Sequence, residues 1–240
     1  MIKTQLNINN LHALWKEAGI PFNGYSEKGK MYQSKITGSE WPNKIWTLPD
    51  VCDDSIEQIK VQMKTDSSLT FSHFSSHISI ANELGKQGFH QKSVQYGMSL
   101  ELKNNFKPSK ELQLKKAETA NEIGLWCKAF KQAFNYSISE PTLEKTKNTI
   151  PYFLVYDNND LVGTIILYIT GNTAGVHSLG IIPEMRKKGY ATEIMYQILN
   201  QAIKENAKTA TLQASEMAKN MYLGMGFCTD FIMHNYQLKP

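Results

Sequence analysis

The residues best placed to do chemistry lie in the second half of the 240-residue chain, between an apolar strand and a helix. The stretch 175–182 is apolar and β-like. Pro183 breaks it, and Arg186-Lys187-Lys188-Gly189-Tyr190-Ala191 leads into a helix of about sixteen residues, expected from the apolar spacing of Ile194, Leu199 and Ile203. A helix start presents unpaired backbone N–H groups and the positive end of the peptide dipoles, so it suits an anion. Gly189 and Ala191 are small enough to let a phosphate oxygen reach the backbone. Arg186 is the only arginine in a lysine-rich chain. Its planar, permanently charged fork stands where a phosphate would lie. This arrangement predicts a pyrophosphate cradle.

Bulk properties narrow the classes. Apolar residues make up 41% of the chain, which suits a globular core. The formal charge of +4 is evenly divided, with twelve lysines against ten acids in residues 1–108. No basic run marks a nucleic-acid partner. Cys52, Cys127 and Cys228 are odd in number and lack Cys-x-x-Cys spacing, which argues against a disulfide framework or metal site and for a reducing compartment. With neither a signal-like N-terminus nor an eighteen-residue apolar run, the expected location is cytoplasmic.

Stepping outward from the loop, hydrophobic periodicity predicts the supporting elements. In the first half, helices are expected over 9–19, 53–65 and 78–86, with strands over 30–36, 43–48, 69–71 and 89–102. Residues 104–109 read as a linker. In the second half, strand 112–117 precedes helices 120–134 and 140–147. A hairpin over 152–169 and strand 174–182 follow, then the long helix. Strand 209–213, helix 217–224 and strand 227–238 close the chain. Asn82 to Phe89 is similar to Asn220 to Phe227, each a helix end leading through Gly-Phe into a strand, which suggests duplication.

Residues 112–239 resemble the GNAT superfamily of N-acetyltransferases. Arg186-Lys187-Lys188-Gly189-Tyr190-Ala191 fits the family's Gln/Arg-x-x-Gly-x-Gly/Ala loop, and Tyr222-Leu223-Gly224-Met225-Gly226-Phe227 fits its Tyr-x-x-x-Gly-Phe motif. The resemblance implies an α/β (α+β) fold, with a mixed, mostly antiparallel sheet flanked by helices and a splayed strand pair that grips acetyl-CoA. It implies that the N–H groups of Lys187, Lys188, Gly189, Tyr190, Ala191 and Thr192 hold the pyrophosphate, with Arg186 and Lys188 adding charge. The strand Val176 to Ile182 would run beside the pantetheine arm, and an N–H among Leu179, Gly180 and Ile181 would serve the thioester oxygen. Tyr222 stands where the family places its general acid. His177 is the candidate base, a water chain being the alternative, and Glu184 is expected in solvent. Ser215 stands where many members carry a cofactor-contacting Asn, so its cofactor role departs from the common pattern.

These readings divide the chain into a degenerate GNAT-like half (1–105), a linker (106–111) and a catalytic half (112–240). A gapless overlay puts 48–53, with two carboxylates and no cation, opposite the phosphate loop, and Leu84 opposite Tyr222. One cofactor site is therefore expected. Trp41, Trp46 and Tyr32 are candidates to wall the acceptor pocket. The expected activity is direct acetyl transfer to a small-molecule or peptide amine. No acyl-enzyme is expected, since Cys127 and Cys228 lack an activating motif. The competing readings are a non-catalytic acyl-CoA-binding module and a protein-interaction scaffold.

Overall fold

The computed structural model describes residues 2–48, 53–75 and 81–239. The described residues form eleven strands: β1 (Tyr25–Lys28), β2 (Met31–Ser34), β3 (Lys44–Thr47), β4 (Thr70–Ser75), β5 (Phe89–Glu101), β6 (Gln113–Lys116), β7 (Tyr152–Asp157), β8 (Asp160–Thr170), β9 (Thr173–Ile181), β10 (Thr209–Ser215) and β11 (Cys228–Leu238). The helices are α1 (Ile2–Gly19), α2 (Asp53–Thr65), α3 (Ala81–Lys86), α4 (Ala120–Phe134), α5 (Glu140–Thr146), α6 (Tyr190–Lys204) and α7 (Glu216–Gly224). Most lie within two residues of expectation. Helix α1 begins seven residues earlier than expected, and β1 was not foreseen because its residues are partly or fully exposed and carry no apolar alternation. Of the described residues, no helix is long and apolar enough to cross a membrane.

All eleven strands join one sheet, in the order β1-β2-β3-β4-β11-β5-β10-β9-β8-β7-β6. Pairing is antiparallel except β3 with β4 and β9 with β10. The two long strands at the centre are interleaved: β11 lies between β4 and β5, and β5 lies between β11 and β10. The sheet therefore runs without a break across the expected linker. Residues 106–110 are strapped to α6. Phe106 exchanges backbone bonds with the Asn200 amide, and Glu193 accepts from the N–H groups of Ser109 and Lys110.

The same junction occurs twice. Gln87 N–H bonds Leu84 O as Met225 N–H bonds Tyr222 O, and Gly88 N–H bonds Gly85 O as Gly226 N–H bonds Leu223 O. Gly88 and Gly226 take φ of 92° and 94°, a region open to glycine, and the following Phe89 and Phe227 are both buried.

Each sheet face is covered by apolar helix stripes. On one face Ile194, Ile198 and Leu199 of α6 pack on Val162, Ile165 and Leu212, while Ile59 and Met63 of α2 pack on Ile45 and Phe71. On the other, Trp126 and Phe130 of α4 cover Tyr152, Leu154 and Ile166, and α1 contacts β5, β8, β9, β10 and β11. Helix α1 buries two amides, a burial that is costly without partners. Asn7 donates to Met98 O and Leu212 O, and Asn10 donates to Tyr168 O and Thr170 Oγ1. These four bonds fix α1 over the middle of the sheet.

Candidate active site

The site begins where two parallel strands part. β9 and β10 pair at Thr173–Thr209, Ala174–Ala210 and Gly175–Thr211, and not beyond. Past Gly175 no strand among the described residues neighbours the β9 edge on the β10 side. β9 also carries an extra residue here: Ile166 pairs with His177 and Thr164 with Gly180. Ser178, at φ 53°, forms this bulge, and its carbonyl accepts from Thr164 Oγ1. Ile182 N–H bonds Val162 O, towards β8. By strand alternation the N–H groups of Ile181 and Leu179 turn to the open side. Gly180 lies against Ala133 and Phe134, where a Cβ would collide, so α4 closes over this end of β9.

A cavity of about 250 Å³ occupies the opening. Val176, His177, Ser178 and Leu179 line it on one side, and Leu212, Gln213, Ala214 and Ser215 on the other. Tyr222 of α7 closes it. Leu11, Leu14, Trp15, Trp41, Lys44 and Gln95 reach in from the first hundred residues, with Phe134 and Tyr136 beside them. Of the three aromatic residues expected in this wall, Trp41 reaches the cavity. Trp46 is fully buried behind Trp15, and Tyr32 stacks on Trp46.

Tyr222 is 7% exposed, its ring packed edge-on to Phe227. Its hydroxyl has no hydrogen-bond partner among the described residues, and burial pushes the phenol well above its ordinary range. It therefore stays protonated at neutral pH and holds a free donor towards the cavity. His177 Nε2 lies 3.1 Å from Asn10 Oδ1. The Asn10 amide nitrogen already faces three acceptors, so Oδ1 is the acceptor here and Nε2 carries the proton. Burial pulls the imidazole down to about 4, partly opposed by a bond to Gln213, so His177 is neutral at pH 7. Gln213 in turn donates to Asn7 Oδ1.

The loop lies at the outer end of β9. Lys187 and Gly189 take φ of 61° and 80°, and Gly189 is the N-cap of α6. The N–H groups of Lys187, Lys188, Gly189, Tyr190 and Ala191 have no acceptor among the described residues, while Thr192 and Glu193 N–H both turn to Gly189 O. Five successive open donors at a helix start make an anion nest. Arg186 is used differently from expectation: Nε donates to Ile181 O and Nη2 to Ala133 O, tying the end of β9 to α4. Lys188 Nζ lies on Met185 Sδ, and Tyr190 OH donates to Asp157. Ser215 Oγ caps α7 by accepting from Ala218 N–H while its residue lines the cavity. Glu184 is exposed, as expected.

Burial pushes the Cys127 thiol up to about 12, and Cys228 is exposed. Cys52 and most of the segment opposite the phosphate loop lie outside the described residues; Leu84, opposite Tyr222, is buried in the α2-side core. Among the described residues no three His, Cys, Asp or Glu side chains gather as a metal site would require.

Sequence reasoning missed Lys44, Gln95, Asn10 and Gln213. Each comes from an element whose contact with the site depends on strand order or on the path of α1, which local periodicity does not encode.

Comparison with known proteins agrees with this geometry. The profile described as "Acetyltransferase (GNAT) family" matches residues 117–227. No curated protein sequence matches the chain. Among solved structures, a GCN5-related N-acetyltransferase from Kribbella flavida superposes with a TM-score of 0.67 at 13% identity, covering 93% of this chain and 94% of that one. A GCN5-related N-acetyltransferase from Sphaerobacter thermophilus gives 0.62 at 14% identity, covering 88% and 78%. A conserved protein of unknown function from Staphylococcus epidermidis gives 0.61 at 17% identity, covering 90% and 93%. The fold is thus shared over nearly the whole length, the first hundred residues included, and residues 117–227 match the model of the GNAT acetyltransferase family.

Proposed function

We propose that the protein transfers the acetyl group of acetyl-CoA directly to an amine. The observation that carries this reading is the alignment of three features: five open N–H groups at the start of α6, an unpaired β9 edge, and a cavity closed by the Tyr222 hydroxyl. They suit, in order, the pyrophosphate, the pantetheine arm and the thioester. In this reading Lys187 to Ala191 hold the pyrophosphate, Thr192 being withdrawn from the expected set because its N–H is spent on Gly189 O, and Leu179 to Ile181 accompany the arm. Arg186 shapes the nest by fixing its approach, and Ser215 supports α7 beside the thioester.

The amine nitrogen forms a bond to the acetyl carbon, and the carbonyl oxygen takes up the electron pair, stabilised by an outward N–H of β9. The oxyanion then reforms the carbonyl and the C–S bond breaks. The CoA sulfur leaves with the electron pair and takes the Tyr222 proton, which the amine's lost proton replaces through solvent. His177, in its base form throughout the working range, relays that proton and does not hold it, because its conjugate acid titrates near 4.

The same reading takes residues 1–105 as a shortened GNAT-like half that walls the site, followed by the linker 106–111 and the catalytic half 112–240. The repeated Gly-Phe junctions and the mirrored parallel pairs support it.

Steady-state transfer with Tyr222→Phe tests the assignment. General-acid catalysis is worth about 10²- to 10⁴-fold, so kcat should fall by about 10²-fold or more with CoA affinity unchanged. Equal rates at every pH would remove Tyr222 from the mechanism. CoA binding without transfer to any amine would favour the binding-module reading.

A further inference from the structure

Lys44 opens β3, in the half of the chain that lacks the phosphate loop, yet its side chain lines the same cavity as Val176–Leu179 and Tyr222. It is held there by a fixed network. Nζ donates to Asn235 Oδ1 at 2.8 Å, and Ser72 Oγ donates to the same oxygen at 2.7 Å. The Asn235 amide nitrogen donates to Ser93 Oγ and Gln95 Oε1, so the amide cannot turn over without losing both. The indole of Trp15 lies 6.0 Å from Nζ.

What the network lacks is a counter-charge. Among the described residues no carboxylate pairs with Lys44, and no Asp or Glu lines the cavity. The rest of the lining is apolar, aromatic or neutral, His177 included. A desolvated cation without a partner is unfavourable. Burial, with Lys92 adding repulsion, pulls this ammonium down to about 7. The cavity thus holds one cationic donor, no acidic group to receive a second cation, and an aromatic wall made by Trp15, Trp41, Phe134 and Tyr136.

We infer that the acceptor is a free amino acid with an apolar or aromatic side chain, its carboxylate seated on Lys44, its side chain against the aromatic wall, and its amine presented to the thioester. This rests on the acetyl-transfer reading and narrows its substrate. The absence of a cavity carboxylate also aids the chemistry, because nothing there stabilises the acceptor as ammonium and the free amine is the nucleophile. Polyamines and aminoglycosides, which bring several positive charges, have no partner in this cavity.

The test uses the full-length protein, acetyl-CoA and three matched acceptors: phenylalanine, phenylalaninamide and phenethylamine. Release of CoA thiol is followed, and calorimetry measures binding of the same three in the presence of CoA. A charge-assisted hydrogen bond predicts that phenylalanine exceeds both others in kcat/KM by about tenfold or more. Lys44→Met should abolish that preference. Asn235→Asp, which keeps Lys44 and supplies a counter-charge, should reduce it as well, so the result does not hang on one variant's folding. Lys44→Arg should keep part of it. Equal or better use of phenethylamine, a preference that survives in a folded Lys44→Met, or absence of both turnover and binding across the twenty amino acids would overturn the inference. CoA calorimetry without acceptor separates the two levels. If CoA binds and amino acids do not, the substrate inference fails alone; if CoA does not bind, the transfer reading fails first.

Discussion

At the scale of residues, burial moves the titratable groups of the cavity away from their ordinary values. His177 is the clearest case. Its Nε2–H is committed to Asn10, and burial pulls it down to about 4 from an ordinary value near 6.5. The unfolded chain therefore binds a proton between about pH 6.5 and 4 that the folded chain refuses, and folding stability falls as pH drops through that window. Below about 4 the folded form is protonated too and the loss levels off. For a single site with these values the loss by pH 5 is about 2 kcal/mol. His12, His73 and His234 are also lowered and lose stability in the same direction, so the comparison must isolate one group. Urea unfolding of the parent and of His177→Gln at pH 7 and pH 5 does so. The variant keeps a side-chain amide to face Asn10 but has no titration, and should lose about 2 kcal/mol less than the parent. Equal losses would mean that the imidazole is not held neutral by its surroundings.

At the scale of elements, the α6 N-terminus is where sequence and structure agree most closely. The glycine, the small residue at 191 and the following amphipathic stripe specify a helix start, and the five open N–H groups are its direct consequence. Gly189 carries a φ of 80°, with open space where a Cβ would stand. A Glu there adds backbone strain of about 1–2 kcal/mol and puts a carboxylate into the nest. Gly189→Glu should lose CoA affinity by at least about 10²-fold by calorimetry while its melting temperature shifts by a few degrees. Unchanged affinity would remove the nest from the cofactor site. The Arg186 side chain was less legible. Its charge pointed to a phosphate, but its five donors also match two stray carbonyls, Ile181 O and Ala133 O, that the splayed strand and the end of α4 leave without partners. Nothing in local sequence says that those carbonyls are near. The bulge at Ser178 was hidden for a similar reason, since its one extra residue shows only against the register of β8.

At the scale of the whole molecule, the element list was readable and the strand order was not. Periodicity marked 89–102 and 227–238 as strands, but an edge strand and a central one look alike when both are flanked by apolar neighbours. The sheet shows that each half of the chain closes around the other's last long strand: β11 sits between β4 and β5, and β5 between β11 and β10. Cutting the chain near residue 105 would therefore break a peptide bond without freeing either piece. Separation would strip β5 of both its neighbours and expose the β4 and β10 edges, which lie beside the candidate site. A protein nicked at an engineered protease site between Lys103 and Phe106 should elute at its intact size and bind CoA as before, held by the paired strands β5–β10, β5–β11 and β4–β11. Residues 106–240 expressed alone should aggregate or pair with a second copy, and co-expression with residues 1–105 should restore CoA binding. A monomeric 106–240 fragment with full CoA affinity would show instead that the interleaved strands are dispensable to the site. The same experiment bears on Lys44: if the first half supplies the anion-binding end of the cavity, the fragment pair should recover the preference for phenylalanine over phenethylamine together with CoA binding.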